Sequence, residues 1–127
     1  METFVLGDLS AQLDRTTPAV LRVRMTGKSA SREAGKVLAP LFDATLRHAQ
    51  AEARSIELRF ETLEYFNSST IAALVQFIRA TQAHGVGMRV VYDGGQKWQA
   101  MSFDALRRAL RPFESGSGPV VQFVAEP

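Results

Sequence analysis

The sequence predicts an α/β domain: a mixed, mainly parallel sheet that begins with an antiparallel hairpin and carries packed helices. Short apolar runs of period two alternate with longer runs of period 3.6. Their order is strand, strand, helix, strand, helix, strand, helix, strand, the alternation of a largely parallel sheet with right-handed crossovers. A length of 127 residues suits one core better than two. There is no repeat of useful length, and the loop Ser115-Gly116-Ser117-Gly118 lies too near the end to divide domains. Residues 1–127 are therefore expected to form a single domain.

Taken in order, Phe4, Val5 and Leu6 read as a short strand. The turn through Asp14-Arg15-Thr16-Thr17-Pro18 leads to a second, in which Leu21, Val23 and Met25 alternate with Arg22 and Arg24. That turn is short enough to make the two runs a hairpin. Ser31 is placed to cap a helix bearing Val37, Leu38, Leu41, Phe42 and Leu46, in which Pro40 marks either a kink or a first-turn position. From Ser55 to Glu61, Ile56, Leu58 and Phe60 oppose Glu57, Arg59 and Glu61, so one face of the sheet is expected to be partly wet. Ile71, Leu74, Val75 and Ile78 form the next helix, which ends at His84 with Gly85 as its C-terminal stop. Met88–Tyr92 reads as a strand and Asp93-Gly94-Gly95 as a turn. Trp98, Met101, Ala105, Leu106 and Leu110 mark a last helix, with Ser102 as an alternative cap of a shorter one. Val120–Val124 closes the chain as a strand.

Composition removes several classes of function. No cysteine is present, which excludes disulfides, thiol catalysis and cysteine-based metal sites. The net charge is only +2, and the arginines are scattered among acids, with Arg107, Arg108 and Arg111 the nearest approach to a basic patch, so nucleic acid is not an expected partner. No apolar run approaches the length needed to span a bilayer, and Met1-Glu2-Thr3-Phe4 lacks the pattern of a signal segment. The expected location is the cytoplasm.

Asn67-Ser68-Ser69-Thr70 stands where a strand hands over to a helix. There, side-chain oxygens cap free backbone N–H groups, and the helix dipole favours negative charge, phosphate included. The pattern fits a plain cap as well as an anion-accepting turn. A hydrolase built on Ser69 and His84 fails, because the turn lacks the glycines of a nucleophile elbow and the two residues lie roughly 20 Å apart along a straight helix. Two separated histidines, His48 and His84, supply no metal-ligand spacing. Glu57, Glu61 and Glu64 read as solvated charges and Trp98 as a core or rim aromatic. Gly27-Lys28-Ser29 lacks the earlier glycine of a phosphate-binding loop, since Arg22 stands in its place. Nothing here calls for a catalytic residue, a metal or a cofactor, so the chain is not expected to be an enzyme.

Ser69, Ala72, Ala73, Gln76 and Ala80 share one side of the helix at spacings of three and four. Small residues beside a hydroxyl leave a flat surface for a protein partner. The same spacing fits packing against a neighbouring element equally well.

These residues carry a family likeness. The junction Asn67-Ser68-Ser69-Thr70-Ile71 resembles the Asp-Ser-Ser-Gly-Leu of STAS domains in bacterial anti-sigma-factor antagonists. It is more similar to the Asn-Thr-Ser-Ser-Ile of a divergent STAS-like branch that includes biofilm-regulating phosphoproteins. Gly27-Lys28-Ser29, Val91-Tyr92-Asp93 and Lys97-Trp98-Gln99 look like that branch too, and the likeness covers most of residues 20–110. The resemblance implies a STAS-like domain acting as a partner switch. It would bind a GHKL-type serine kinase or anti-sigma protein, accept phosphate from the kinase's ATP, and lose it to a phosphatase. Ordinary antagonists carry the phosphate on the second hydroxyl, which corresponds to Ser69; the divergent branch carries it on the first, which corresponds to Ser68. Ser69 is put first of the two. Asn67 and Thr70, which replace the usual Asp and Gly, would shape the turn, and Ala72, Ala73 and Gln76 would belong to the docking face. The alternative is a STAS module that senses a small molecule or nucleotide.

Overall fold

The computed structural model describes residues 1–113 and 119–126. The expected loop at Ser115–Gly118 lies outside the described residues. Three antiparallel strands come first: β1 (Glu2–Leu6), β2 (Leu9–Asp14) and β3 (Val20–Ser29). Then follow α1 (Ala34–Ala51), β4 (Ser55–Arg59), β5 (Leu63–Phe66), α2 (Ser68–Ala83), β6 (Met88–Asp93), α3 (Lys97–Leu110), a 3-10 turn (Arg111–Phe113) and β7 (Gln122–Glu126). The sheet order is β1-β2-β3-β4-β6-β7, and β5 pairs with the far end of β3. The pairs β3–β4, β3–β5, β4–β6 and β6–β7 are parallel, so the sheet is mixed and mainly parallel, as the sequence predicts.

After β3 the strand order advances in one direction only. Right-handed crossovers along such an order place every helix on the same face of the sheet. The burial pattern agrees: Leu21, Val23, Ile56, Leu58, Met88 and Val90 join the helices in one core. At its centre Phe103 of α3 meets Phe60, Phe66 and Tyr92, with ring centroids 4.9, 5.2 and 4.9 Å away. Phe42 and Phe77 stack at 4.2 Å where α1 crosses α2.

Among the described residues the opposite face carries no helix, and charge covers it. Arg59 is the hub, bidentate to Glu61 at 2.9 Å and bonded to Glu57 at 2.8 Å, with Glu126 at 3.2 Å. Arg22 reaches Glu57 from the next strand at 2.9 Å. Glu57 is not the solvated charge the sequence suggests: it is 6% exposed and held between two guanidinium groups. Burial pushes its carboxyl up, and hydrogen bonds and charge from Arg22 and Arg59 together bring it below the ordinary glutamate range. The Arg59 hydrogen bonds hold Glu61 low as well, against a smaller opposing effect of burial.

Several elements differ from expectation. The Asp14–Pro18 turn does join antiparallel strands, but the first of them is β2, not Phe4–Leu6. Leu9, Ala11 and Leu13 face the core, and a separate turn at Gly7, with φ +68°, joins β1 to β2. β5 escapes a period-two reading because a bulge opposite Gly27 turns both Leu63 and Phe66 inward, three residues apart. Gly27 itself has φ +89°, and a Cβ there would collide with the Asp8 carbonyl, so this position needs glycine. Helix α1 begins at Ala34 and contains Pro40 in its interior; Ser31 sits two residues before the Glu33 cap position and accepts that residue's N–H instead. Helix α3 begins at Lys97, so Ser102 is no cap. Its buried side is Gln99, Phe103, Leu106 and Leu110, while Met101 is 65% exposed. The last strand is shifted two residues from Val120–Val124.

Two measurements follow from this packing. Phe103→Ala should cost about 3–5 kcal/mol in denaturant unfolding, and Met101→Ala less than about 0.5 kcal/mol; equal costs would contradict the observed face of α3. Glu57 and Glu61 bind fewer protons in the folded than in the unfolded chain as pH falls through about 4.3, the ordinary glutamate value. Their contribution is therefore present above that pH and is lost on acidification. Urea midpoints should drop towards pH 3, and Glu57→Gln should make the drop between about pH 5 and 3 shallower. An unchanged slope would place the acid sensitivity elsewhere.

Candidate functional site

The carboxyl ends of β3 and β5 and the first turns of α1 and α2 meet at one edge of the sheet, where the hydroxyl-rich junction lies. Asn67 is the N-cap of α2, with extended backbone at φ −103° and ψ 179°. Its Oδ1 accepts from the Thr70 N–H at 2.9 Å, and its Nδ2 donates to the Ser31 carbonyl at 3.0 Å. Its own N–H donates to the Ser29 carbonyl at 3.2 Å.

Thr70 is 3% exposed, and its Oγ1 lies 2.7 Å from Ser29 Oγ, 2.9 Å from Asn67 Oδ1 and 3.2 Å from the Ser29 carbonyl. A threonine hydroxyl has one proton. If it went to Ser29 Oγ, the Asn67 oxygen would face Thr70 lone pair to lone pair. Ser29 is therefore the donor to Thr70, which donates onward to Asn67 or to the Ser29 carbonyl. Among the described residues, no buried side-chain nitrogen or oxygen lacks a partner.

The two serines differ. Ser68, the first residue of α2, is exposed, and among the described residues no hydrogen bond engages its hydroxyl. Ser69 is partly buried; its Oγ donates to the Arg32 carbonyl at 3.0 Å and accepts from the Ala34 N–H at 3.1 Å. The first turn of α2 holds no acidic side chain, so the helix itself supplies no negative charge to the positive end of its dipole.

The small-residue side of α2 divides in the same way. Ala72 and Gln76 are exposed, whereas Ala73 is 6% exposed and belongs to the core. Between α1 and α2 runs a groove of about 210 Å³, lined by Gly35, Ala39, Ala73, Gln76 and Ala80 over Phe42 and Phe77. His84 is exposed at the far end of α2, remote from the serines. No group of three or more His, Asp or Glu side chains is placed to hold a metal ion among the described residues. Trp98 sits at the rim, edge-on to Phe66 at 5.7 Å. Sequence reasoning names Ser29 only within Gly27-Lys28-Ser29 and misses its contact with Thr70, whose signal would have been a polar residue at an inward position of a strand.

Residues 15–91 match the family model described as SiaC family regulatory phosphoprotein. The chain belongs to the SiaC family. A search of curated proteins finds no match. Among solved structures, the anti-sigma factor antagonist SpoIIAA in its unphosphorylated form matches at 17% identity and TM-score 0.53, covering 87% of this chain and 86% of that one. SpoIIAA from Bacillus in the phosphorylated form matches at 15% and 0.54, covering 87% and 89%. A DUF3478-family protein from Shewanella loihica PV-4, itself with a SpoIIAA-like fold, matches at 13% and 0.53, covering 99% and 92%. The SiaC-family chain thus has a SpoIIAA-like fold, in keeping with the STAS-like resemblance. No helix among the described residues is long and apolar enough to cross a membrane.

The two departures from the ordinary antagonist junction have physical partners in this family member. The Asn67 amide donates to the Ser31 carbonyl, which an aspartate could not do. Thr70 fills the contact with Ser29, which a glycine would leave open. Thr70→Val, which keeps the shape and strands the Ser29 hydroxyl, should cost about 1–3 kcal/mol in urea unfolding. Asn67→Ala should cost about 1 kcal/mol or more. Stability unchanged in both variants would contradict the network.

Proposed function

We propose that residues 1–127 form one domain that works in the cytoplasm as a partner switch, a substrate of enzymes rather than an enzyme. The exposed hydroxyl of Ser68, which no hydrogen bond engages among the described residues, carries this reading. It stands at the positive end of α2, whose first turn holds no acidic side chain, where a phosphoryl group of about −1.5 to −2 charge meets a favourable dipole and displaces no contact seen among the described residues. Ser68 is therefore the preferred acceptor, ahead of Ser69, and this accords with the divergent branch. Unmodified, the domain binds a GHKL-type serine kinase or anti-sigma protein through Ala72, Gln76 and the groove that Ala73 lines. The kinase phosphorylates Ser68, and a phosphatase restores it. The added charge, bulk and hydration keep the partner off that face while the fold persists. In support, the phosphorylated and unphosphorylated forms of SpoIIAA match this fold equally well.

A second reading is a sensory module for a small molecule or nucleotide. A cleft of about 350 Å³ favours it, bordered by Leu6, Leu9, Lys28, Ser29, Ser31 and Val37 beside the junction. Saturable ligand binding that survives alanine replacement of both serines would favour this module.

The deciding experiment is intact mass and peptide mapping on the protein from its own host, followed by affinity for the cognate kinase. Phosphate is expected on Ser68, absent in Ser68→Ala. Phosphorylation is expected to weaken partner binding at least about tenfold, with the thermal midpoint little changed. Both serines unmodified while the kinase is active would sink the switch, and a large loss of stability on phosphorylation would sink its proposed mode.

A further inference from the structure

Helix α1 begins without a cap of its own. Glu33 stands at its N-cap position, and no side-chain hydrogen bond comes from there. The first amide of the helix, Ala34, is satisfied by another helix: Ser69 of α2 accepts its N–H at 3.1 Å. The same hydroxyl donates to the Arg32 carbonyl at 3.0 Å, so donor and acceptor roles are both in use. Two residues away Asn67 holds the Ser31 carbonyl, and Thr70 holds Ser29. Ser69 is thus the member of this set that reaches into α1 itself.

We infer that Ser69 is a positioning residue: its hydroxyl caps α1 from α2, fixing the two helix ends against each other beside Ser68, and it is not the phosphate acceptor. This rests on the reading of Ser68 as acceptor. Phosphoryl transfer to Ser69 would form an Oγ–P bond as the bond from the γ-phosphorus to the bridging oxygen of the kinase's ATP breaks, with ADP leaving and the hydroxyl proton passing to a base of the kinase; the Arg32 carbonyl would lose the proton it accepts, breaking the tie. Transfer to Ser68 breaks nothing. The α1–α2 groove starts at Gly35, one residue beyond the capped amide, so the partner-facing surface takes its register from this contact.

The test uses the full chain and amide hydrogen exchange by NMR. Ser69→Ala should speed exchange at Ala34 roughly fivefold, the loss of one cap, with α3 amides unchanged; Ser69→Thr, which keeps the hydroxyl, should restore protection. If Ser69→Ala loosens α3 as well, Ser69→Cys, with a weaker hydrogen-bonding group, carries the same comparison and should give intermediate protection. With the cognate kinase, Ser68 should still be modified in Ser69→Ala, but partner affinity should fall several-fold and recover in Ser69→Thr. Equal Ala34 protection in wild type and variants would overturn the cap. Phosphate on Ser69 in the wild type would overturn the division of roles. Phosphate on neither serine removes the switch, while the exchange arm still reads the cap by itself.

Discussion

The hydrogen-bond set at Ser29, Ser31, Asn67 and Thr70, buried at Ser29 and Thr70 and half-buried at the other two, is the constraint on which the candidate site depends. The four residues come from three segments: the end of β3, the loop before α1, and the start of α2, which supplies both Asn67 and Thr70. Loop backbone at such a junction needs partners once water is excluded. Here the side chains of one helix start provide them for the loop that leads to another. An unmade bond inside such a set costs more than a made one contributes. The geometry of the exposed serine is therefore over-determined by its buried neighbours.

The one-sided architecture follows from strand order. Because the sheet advances in one direction after β3, the three helices share a face and the other is left to side chains. Arginine suits that face, since its stem lies along apolar strand surface while its guanidinium meets carboxylates. Val91 illustrates the effect: it is 1% exposed on a strand position level with Arg59, yet lies outside the helix-facing core. The charged cover excludes water from the sheet without a second layer of helices.

Much of this was legible in the sequence, and the exceptions have physical causes. Strict alternation in Ile56, Leu58 and Phe60 gave β4 and its inner face directly. The hydroxyls before Ile71 marked the start of α2, and Gly85 marked its end. β2 was hidden because its central inward residue is Ala11, small enough to read as neutral, and β5 because its bulge breaks the period. The side of α3 was misread because Gln99 is fully buried: its amide serves the backbone of Phe60 and Asp93, at 2.8 and 2.7 Å, which no hydrophobicity pattern reveals. At the junction the cap was readable from residue type. The unequal state of its two serines was not, because Ser69's partners, Arg32 and Ala34, lie more than thirty residues away in sequence.

On the proposed reading, that inequality decides how charge is added to this surface. A group attached to a hydroxyl already holding two backbone partners must compete with them, and the fold absorbs the difference. A group attached to a free, exposed hydroxyl at a helix start competes only with water, and the aligned amides of α2 favour its charge. The energetic effect then falls on whatever approaches from outside, which must desolvate the phosphate or stay away. A stiff network beneath and an unengaged oxygen above are the two conditions for a modification that changes binding and leaves folding alone. In this chain they occur on adjacent residues of the same helical turn.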